Sequence, residues 1–266
     1  MLPVFGKRDI REITSPEILV LLRRLEDRGI IDTAHRVMNY CSQIFRYAVA
    51  TGRAERDPTA DLRGALQPLK SKHRAAITEP AKIQQLLRAM DAFDGTYIVK
   101  CGLWFSAYTF VRPGEIRQAE WKEFNLEDAE WKISEKKMKM RRPHIVPLAK
   151  QVIELLESLK PLTGHGTYVF PSLRSSKGTQ PMSENTILYA LRRMGFSDDE
   201  MCAHGFRCMA STRLNEQGWH PDVIERQLAH VERNSVRAAY NHAEYLPERR
   251  KMMQTWADYL DSLKAQ

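Results

Sequence analysis

Polar residues whose types suit chemistry on a phosphate group are spread over the C-terminal two thirds of this chain. They are two arginines, a lysine, two histidines and a tyrosine: Arg112, Lys139, His204, Arg207, His230 and Tyr240. Cutting a phosphodiester without a metal ion requires a nucleophile, relief of negative charge on the non-bridging oxygens, and a proton for the leaving oxygen. The six side chains include groups of each kind.

Each of these residues lies in its own short string, which adds information that a single residue lacks. Pro113 after Arg112 suits a turn or a helix start, and Glu115 is placed to fix the guanidinium or a neighbouring backbone amide. His204 and Arg207 are three residues apart, so one helical turn would present both on the same face. The other strings are Lys139-Met140-Arg141-Arg142-Pro143-His144, Leu228-Ala229-His230 and Ala239-Tyr240-Asn241-His242.

The order Arg, Lys, His-x-x-Arg, His, Tyr resembles that of the tyrosine site-specific recombinases. More narrowly, the chain is similar to phage and genomic-island integrases of the satellite-phage subgroup, from Leu2 to the C-terminal helix, and all six positions are filled. The resemblance implies a recombinase that cuts and rejoins DNA strands through a 3′-phosphotyrosyl intermediate, independently of metal and ATP. Its biological role would be to integrate or excise a prophage or genomic island.

The resemblance assigns the nucleophile and the general acid. Tyr240 would attack the scissile phosphate and leave a free 5′-hydroxyl, and Lys139, at the tip of a predicted hairpin, would protonate the leaving 5′-oxygen. Lys136 and Lys137 are alternatives to Lys139 within three residues of it. Tyr245 is the alternative nucleophile, although its distance from the second histidine exceeds the family interval, which favours a packing role.

The resemblance also assigns the arginines and histidines. Arg112 and Arg207 match the two phosphate-clamping arginines, for which a planar, always charged guanidinium is suited. His204 would accept the tyrosine proton or hydrogen-bond the phosphate. His230 fills the second histidine position and would orient a phosphate oxygen, and Tyr240 follows it by ten residues, close to the family interval.

Length and charge are consistent with this hypothesis. A chain of 266 residues favours two domains, and 41 Lys and Arg against 33 Asp and Glu give a net charge of +8. An excess of positive charge favours a polyanionic partner. The resemblance narrows that partner to double-stranded DNA at attachment sites, bound by a homotetramer with the help of a DNA-bending accessory protein.

Cysteine usage and hydropathy argue against a disulfide-rich, a zinc-binding or a membrane-spanning protein. The four cysteines form no Cys-x-x-Cys pair, which indicates a reducing interior. Cys202, His204 and Cys208 lie close together, but their spacing fits no common structural zinc site, and we expect neither metal nor cofactor. No apolar stretch approaches the length of a membrane span and no signal peptide is evident, so we expect a soluble, cytoplasmic, nucleoid-associated bacterial protein.

The pattern of apolar residues predicts a mainly α fold with a small β-sheet. We expect a helical core-binding domain over residues 1–70, a basic linker over 71–78, and an α+β catalytic domain over 79–266. In the first domain, Ser15 is expected to cap a helix that begins at Pro16. The buried stripe of the next helix is expected to contain Val37, Cys41, Ile44, Phe45 and Ala48.

In the second domain, a largely apolar helix over Tyr97 to Phe110 should be central to the core. Trp131 to Ser134 and His144 to Leu148 should form a hairpin with a basic tip. Further helices are expected after Thr78 and at about 149–160, 183–194, 221–229, 232–242 and 247–264. The last has an apolar face that would dock on a neighbouring protomer or pack on its own core, formed by Met252, Met253, Trp256, Tyr259 and Leu260.

The resemblance also implies that an N-terminal domain is missing, and two alternative functions have to be considered. Integrases of this subgroup carry an N-terminal domain that binds arm sites, so the chain is expected to lack that domain and to be incomplete at the start of its core-binding unit. A tyrosine-type topoisomerase would share the chemistry, but the Arg-Ala-Ala-Tyr-Asn string favours an integrase. A DNA-binding regulator without catalytic activity is the alternative from a different class.

Overall fold

A computed structural model describes residues 2–69, 75–138, 142–175, 177–230 and 244–265. Within these ranges α-helices dominate and one three-stranded sheet is present, which confirms the expected mainly α fold with a small sheet. The chain divides into two units, Met1–His73 and Arg74–Gln266. Each unit has its own hydrophobic core.

The described residues of the first unit form three α-helices: α1 (Leu2–Phe5), α2 (Ser15–Asp27) and α3 (Ile31–Ala50). The expected cap of α2 was wrong by one residue. Thr14 is the N-cap and exchanges hydrogen bonds with Glu17 in a capping box, so that Ser15 is the first helical residue. The Ser15 hydroxyl instead donates to the carbonyl of Pro58, 2.8 Å away, and links α2 to a later turn.

The buried stripe of α3 is narrower than predicted. Cys41, Phe45 and Ala48 are buried as expected, but Ile44 is 49% exposed. Successive residues advance around a helix by 3.6 per turn, which places Ile44 at the edge of the stripe, beside the exposed Tyr40. The prediction that Ile44 belongs to the core was therefore wrong.

The second unit is built around α5. Its helices are α4 (Pro80–Asp91), α5 (Tyr97–Thr109), α6 (Pro113–Arg117), α7 (Lys150–Thr163), α8 (Thr186–Arg193), α9 (Gly205–Glu216), α10 (Pro221–Gln227) and α11 (Leu246–Ala265). Every residue of α5 from Cys101 to Thr109 is buried, as its apolar sequence predicts. Phe105 of α5 packs edge-to-face against Trp131 and Phe170, with ring centroids 5.5 and 5.3 Å away.

The sheet of the second unit is antiparallel, in the order β1 (Phe124–Asn125), β2 (Glu130–Ile133) and β3 (His144–Pro147). The predicted hairpin corresponds to β2 and β3, in which Ile133 pairs with His144. Strand β1 was not predicted because two residues are too short to form a recognisable alternating pattern.

Helix α11 packs on the core of its own unit. Met252, Met253, Trp256 and Leu260 are buried there, and Trp256 Nε1 donates to the carbonyl of Ala107 at 2.9 Å. Of the two outcomes expected for this apolar face, packing on its own core is the one that the structure has. No helix within the described ranges is long and apolar enough to cross a membrane.

The other expected helices correspond to α4, α7, α8, α10 and α11, with ends that differ by a few residues. The expected helix at 232–242 lies outside the described residues. Helices α6 and α9 were not predicted as elements, and each of them begins beside an arginine of the predicted site.

Candidate active site

Arg112 lies where the chain leaves α5. Phe110 ends that helix in a left-handed conformation, with φ of 41°, and Arg112 then occupies the N-cap position of α6 with Pro113 following. The Glu115 carboxylate accepts hydrogen bonds from the Arg112 backbone N–H at 3.0 Å and from its Nη1 at 2.8 Å. Both roles expected for Glu115 are thus confirmed.

Arg207 lies in the first turn of α9 and is only 4% exposed. Its Nη1 donates to the carbonyl of Phe110 and its Nη2 to the carbonyl of Leu228, each at 2.7 Å. Burial and, secondly, the charge of Arg112 lower the pKa of Arg207 to about 10. The group therefore remains charged at neutral pH, in a setting where water screens its field poorly.

The two arginines are brought together by the end of α10. Arg112 Nη2 donates to the carbonyl of Ala229 at 3.0 Å, next to the Leu228 carbonyl that holds Arg207. Carbonyls at a helix C-terminus lack partners within the helix and carry the negative end of its dipole, so they favour bound cations. The end of α10 is thus a fixed anchor for both guanidinium groups.

His230 is placed by the turn that ends α10. Ala229 is left-handed, with φ of 49°; its N–H donates to Arg226 O, and the His230 N–H donates to Glu225 O, both at 3.1 Å. These two bonds form a Schellman motif. The turn places His230 Nδ1 2.7 Å from Glu225 Oε2 and His230 Nε2 3.4 Å from Arg207 Nη2.

Glu225 is a site residue that sequence analysis missed. It belongs to no catalytic string, and it reaches the histidine only because Ala229, a residue type that rarely adopts a left-handed conformation, reverses the chain. A glycine at that position would have predicted the turn. The carboxylate holds one ring nitrogen of His230 and thereby fixes how the imidazole is oriented.

His204 is the N-cap residue of α9 and is half-buried. Its carbonyl accepts a hydrogen bond from the Arg207 backbone N–H at 3.1 Å, so the two residues share the first turn as predicted. The described contacts therefore bring together Arg112, Arg207 and His230, with His204 beside them in the chain. Lys139 and Tyr240 lie outside the described residues.

The structure describes the surroundings of the alternative general acids, Lys136 and Lys137, and of the alternative nucleophile, Tyr245. Lys137 Nζ lies 2.7 Å from Glu120 Oε1, 2.6 Å from Glu123 Oε1 and 2.8 Å from the Gln118 carbonyl, so it joins the turn after β2 to the segment between α6 and β1. Lys136 is exposed on the same turn. Tyr245 is half-buried against the core, consistent with the expected packing role.

Within the described part of the chain, no group of three or more His, Cys, Asp or Glu residues is arranged to hold a metal ion. Cys202 donates its Sγ hydrogen to the carbonyl of Ala75 at 3.3 Å. The short-spaced group Cys202, His204 and Cys208 thus forms no such cluster.

His144 connects β3 to the anchor. It is buried, and its Nε2 lies 3.1 Å from the carbonyl of Gln227, the last residue of α10. Burial, followed by the nearby charge of Arg249, lowers the pKa of His144 from 6.5 to about 3. The imidazole is therefore neutral at physiological pH.

The depressed pKa of His144 predicts a pH-dependent stability. The unfolded chain takes up this proton near pH 6.5, whereas the folded protein does so near pH 3, so the free energy of unfolding should fall as the pH drops from 6.5 towards 3. The slope contributed by one proton is at most about 1.4 kcal/mol per pH unit. Urea titrations between pH 7 and 4 should show a shallower slope for His144→Gln than for the exposed-residue control His165→Gln. Equal slopes in the two variants would contradict the low pKa of His144 in the folded protein.

The left-handed Ala229 predicts a stabilising substitution. Glycine adopts this conformation without steric cost, so Ala229→Gly should raise the free energy of unfolding by about 0.5–1 kcal/mol. The matched control is Ala89→Gly inside α4, where glycine should lower it by about the same amount. Urea denaturation measures both, and a loss of stability in both variants would contradict a left-handed conformation at Ala229.

Comparisons with known proteins agree with this architecture. A model of the "Phage integrase family" matches residues 77–246, and a model of the "Phage integrase central domain" matches residues 1–65. The integrase of Enterobacteria phage P4 is 40% identical over 274 residues, a match that covers 97% of this chain and 62% of the relative. The chain thus spans less than two thirds of that relative's length.

Solved structures share the fold. A lambda integrase dimer bound to a COC′ core site has a TM-score of 0.66 and 20% identity, with 91% of this chain and 84% of that chain covered. A lambda integrase tetramer bound to a Holliday junction has a TM-score of 0.65 and 21% identity, with 85% and 66% covered. The matched family model covers most of the unit that contains the two anchored arginines, and the chain belongs to the phage integrase family of tyrosine recombinases.

Proposed function

We propose that the protein is a site-specific DNA recombinase that cuts and rejoins strands through a 3′-phosphotyrosyl intermediate, and so integrates or excises a prophage or genomic island. The observation that carries the proposal is the pair Arg112 and Arg207, anchored on adjacent carbonyls at the end of α10. Two fixed positive charges, of which that of Arg207 is almost fully buried, suit the extra negative charge that a phosphate gains during attack.

The arginines have hydrogen-bonding capacity left for this task. Each guanidinium has five N–H donors, and the bonds to Glu115, Phe110, Leu228 and Ala229 occupy only part of them. The remaining donors would bind the non-bridging oxygens of the scissile phosphate. Because protein atoms already orient both groups, little reorganisation is needed when the charge develops.

The other steps follow the order of the motif. The Tyr240 oxygen attacks phosphorus, the bond to the 5′-oxygen breaks, and Lys139 gives that oxygen a proton. His204 accepts the phenolic proton, and His230, held by Glu225, orients a phosphate oxygen. The 5′-hydroxyl of a second strand reverses the step, and the energy of the phosphotyrosyl bond is reused without ATP.

The lysine assignment is supported indirectly by the contacts of its alternatives. Lys137 is bound to two carboxylates and a carbonyl, and it would have to abandon all three to serve a leaving group. Lys136 is exposed and remains the alternative against which Lys139 has to be tested.

The proposed partner is double-stranded DNA at attachment sites. Residues 1–70 would be the core-binding domain, 71–78 the linker and 79–266 the catalytic domain. The net charge of +8 supports binding to a phosphate backbone. Lambda integrase, bound to DNA as a dimer and as a tetramer, supports a homotetramer on two duplexes. A DNA-bending accessory protein and a place in the bacterial cytoplasm with the nucleoid complete the proposal.

A trapping experiment tests the nucleophile. The substrate is a nicked duplex whose sequence is copied from the genomic DNA that flanks the prophage or genomic island carrying the gene. Because of the nick, the cut strand diffuses away and the covalent adduct accumulates. We expect an adduct on denaturing gels with the natural chain and with Tyr245→Phe, and none with Tyr240→Phe. Its yield should be unchanged in EDTA, because the arginines provide the charge relief.

The outcomes separate the candidate functions. Adduct formation with relaxation of supercoiled plasmid, but without joining of two attachment sites, would indicate a topoisomerase. Binding of the duplex without any adduct would indicate a DNA-binding regulator. An adduct that persists in Tyr240→Phe and disappears in Tyr245→Phe would overturn the assignment of the nucleophile.

A further inference from the structure

A charged side chain is buried behind the site without any assigned role. Arg249, in the first turn of α11, is 0% exposed and is among the largest fully buried side chains of the described chain. Burial lowers its pKa to about 10. An interior guanidinium is costly unless polar atoms surround it, so its partners indicate why it is retained.

The partners of Arg249 come from three separate parts of the chain. Its Nε and Nη2 donate to Gln227 Oε1 at 3.0 and 2.8 Å, and Nη2 also donates to the carbonyl of Ile145 in β3. Its Nη1 donates to the carbonyl of Glu244 at 3.3 Å. The Glu244 carboxylate is 3.9 Å from Nη1, so these contacts are mainly with neutral oxygens.

Two of these partners flank the part of the sequence that contains Tyr240. The chain leaves α10 at Gln227 and enters α11 shortly after Glu244, and Tyr240 lies between them. A second link joins the same two places, because Arg226 Nε donates to Glu244 Oε2 at 3.1 Å. The stretch begins at the end of α10, and its far end at Glu244 is therefore attached to the same place.

The third partner connects the same point to the hairpin. β3 is the strand that follows the lysine-bearing tip, and both Ile145 and His144 of β3 contact this network, the latter through the Gln227 carbonyl. Gln227 directly precedes Leu228 and Ala229, whose carbonyls hold the two arginines. Arg249 thus lies behind the anchor of the site.

Gln227 has a hydrogen-bonding group left over. Its side chain is 1% exposed, its Oε1 is taken by Arg249, and its Nε2 is buried without an acceptor within the described residues. A buried amide donor is normally paired. Within the described residues, Arg249 is therefore what orients the Gln227 amide.

We propose that Arg249 is a positioning residue for strand cleavage. It joins Gln227 and Glu244, which flank the segment that carries Tyr240, to each other and to β3, and it thereby sets the position of the tyrosine relative to Arg112 and Arg207. The inference rests on the proposed function. Arginine is required because one planar group donates in several directions to acceptors on three segments, a geometry that a lysine ammonium does not reproduce. Arg249 itself touches neither phosphate nor leaving group.

The test compares Arg249→Met with Arg250→Met in the full chain. Arg250, the next residue of α11, also bridges to the sheet, where it donates to the carbonyl of Asp128 at 2.8 Å and to Glu130 at 2.6 Å, but it does not contact Gln227 or Glu244. Both variants lose a charge and a helix-to-sheet contact. Only Arg249→Met loses the contacts with Gln227 and Glu244, the two residues that flank the tyrosine-bearing stretch.

Single-turnover adduct formation on the nicked duplex, duplex affinity and thermal unfolding are measured for each variant. We expect the adduct rate of Arg249→Met to fall at least about tenfold, since small displacements of a reacting group have effects of this size or larger. Duplex affinity should stay within about threefold, because most of it comes from dispersed backbone contacts. Arg250→Met should keep both quantities near those of the natural chain.

A second pair of variants distinguishes an effect on the position of the tyrosine from a loss of folding or stability. Gln227→Met removes the acceptor but leaves the charge, and it should slow adduct formation in the same way. Arg249→Lys should regain thermal stability lost in Arg249→Met without regaining the rate. Equal adduct rates in Arg249→Met and Arg250→Met, or full recovery of the rate in Arg249→Lys, would overturn the inference. Absence of an adduct with the natural chain would instead contradict the proposed function.

Discussion

Three backbone carbonyls, those of Phe110, Leu228 and Ala229, hold the guanidinium groups of Arg112 and Arg207, and the rest of the second unit maintains this arrangement. Two positive charges repel each other, and burial makes that repulsion stronger. Fixed dipoles at the helix ends offset it for both groups, and the Glu115 carboxylate pairs with Arg112. Two guanidinium groups against one paired carboxylate leave the proposed phosphate site with a net positive charge.

The carbonyls are available because two helices end in left-handed residues, Phe110 and Ala229. Such turns leave carbonyls free of intrahelical bonds and aim them outside the helix axis. The helices themselves are held by the core: α5 is buried along most of its length, and Trp256 of α11 donates to a carbonyl of α5. Behind α10, Arg249 binds the side chain of Gln227. The site is thus supported by packed helices of the second unit.

The apolar periodicity of α4 and the continuous apolar run of α5 were sufficient to predict the mainly α fold class, whereas the two arginines were predicted through the resemblance to tyrosine recombinases. Glu225 and Arg249 were missed since their partners lie across turns and on other elements. The same limitation explains Ile44, which sits at the edge of a stripe whose width depends on the packed neighbour. Capping at Thr14 differs from the expected Ser15 because adjacent hydroxyl residues compete locally, and the contact with Pro58 selects between them.

The most direct test of the anchored arginine pair is the separation of cleavage from binding. Arg112→Ala and Arg207→Lys are compared with Arg193→Ala, an arginine of α8 paired with Asp94, by single-turnover adduct formation and by duplex affinity in fluorescence anisotropy. The account predicts that the first two variants lose about 100-fold or more in cleavage rate and keep duplex affinity within a few fold, while the control changes neither. Loss of DNA binding in step with cleavage, or cleavage at the natural rate, would contradict it.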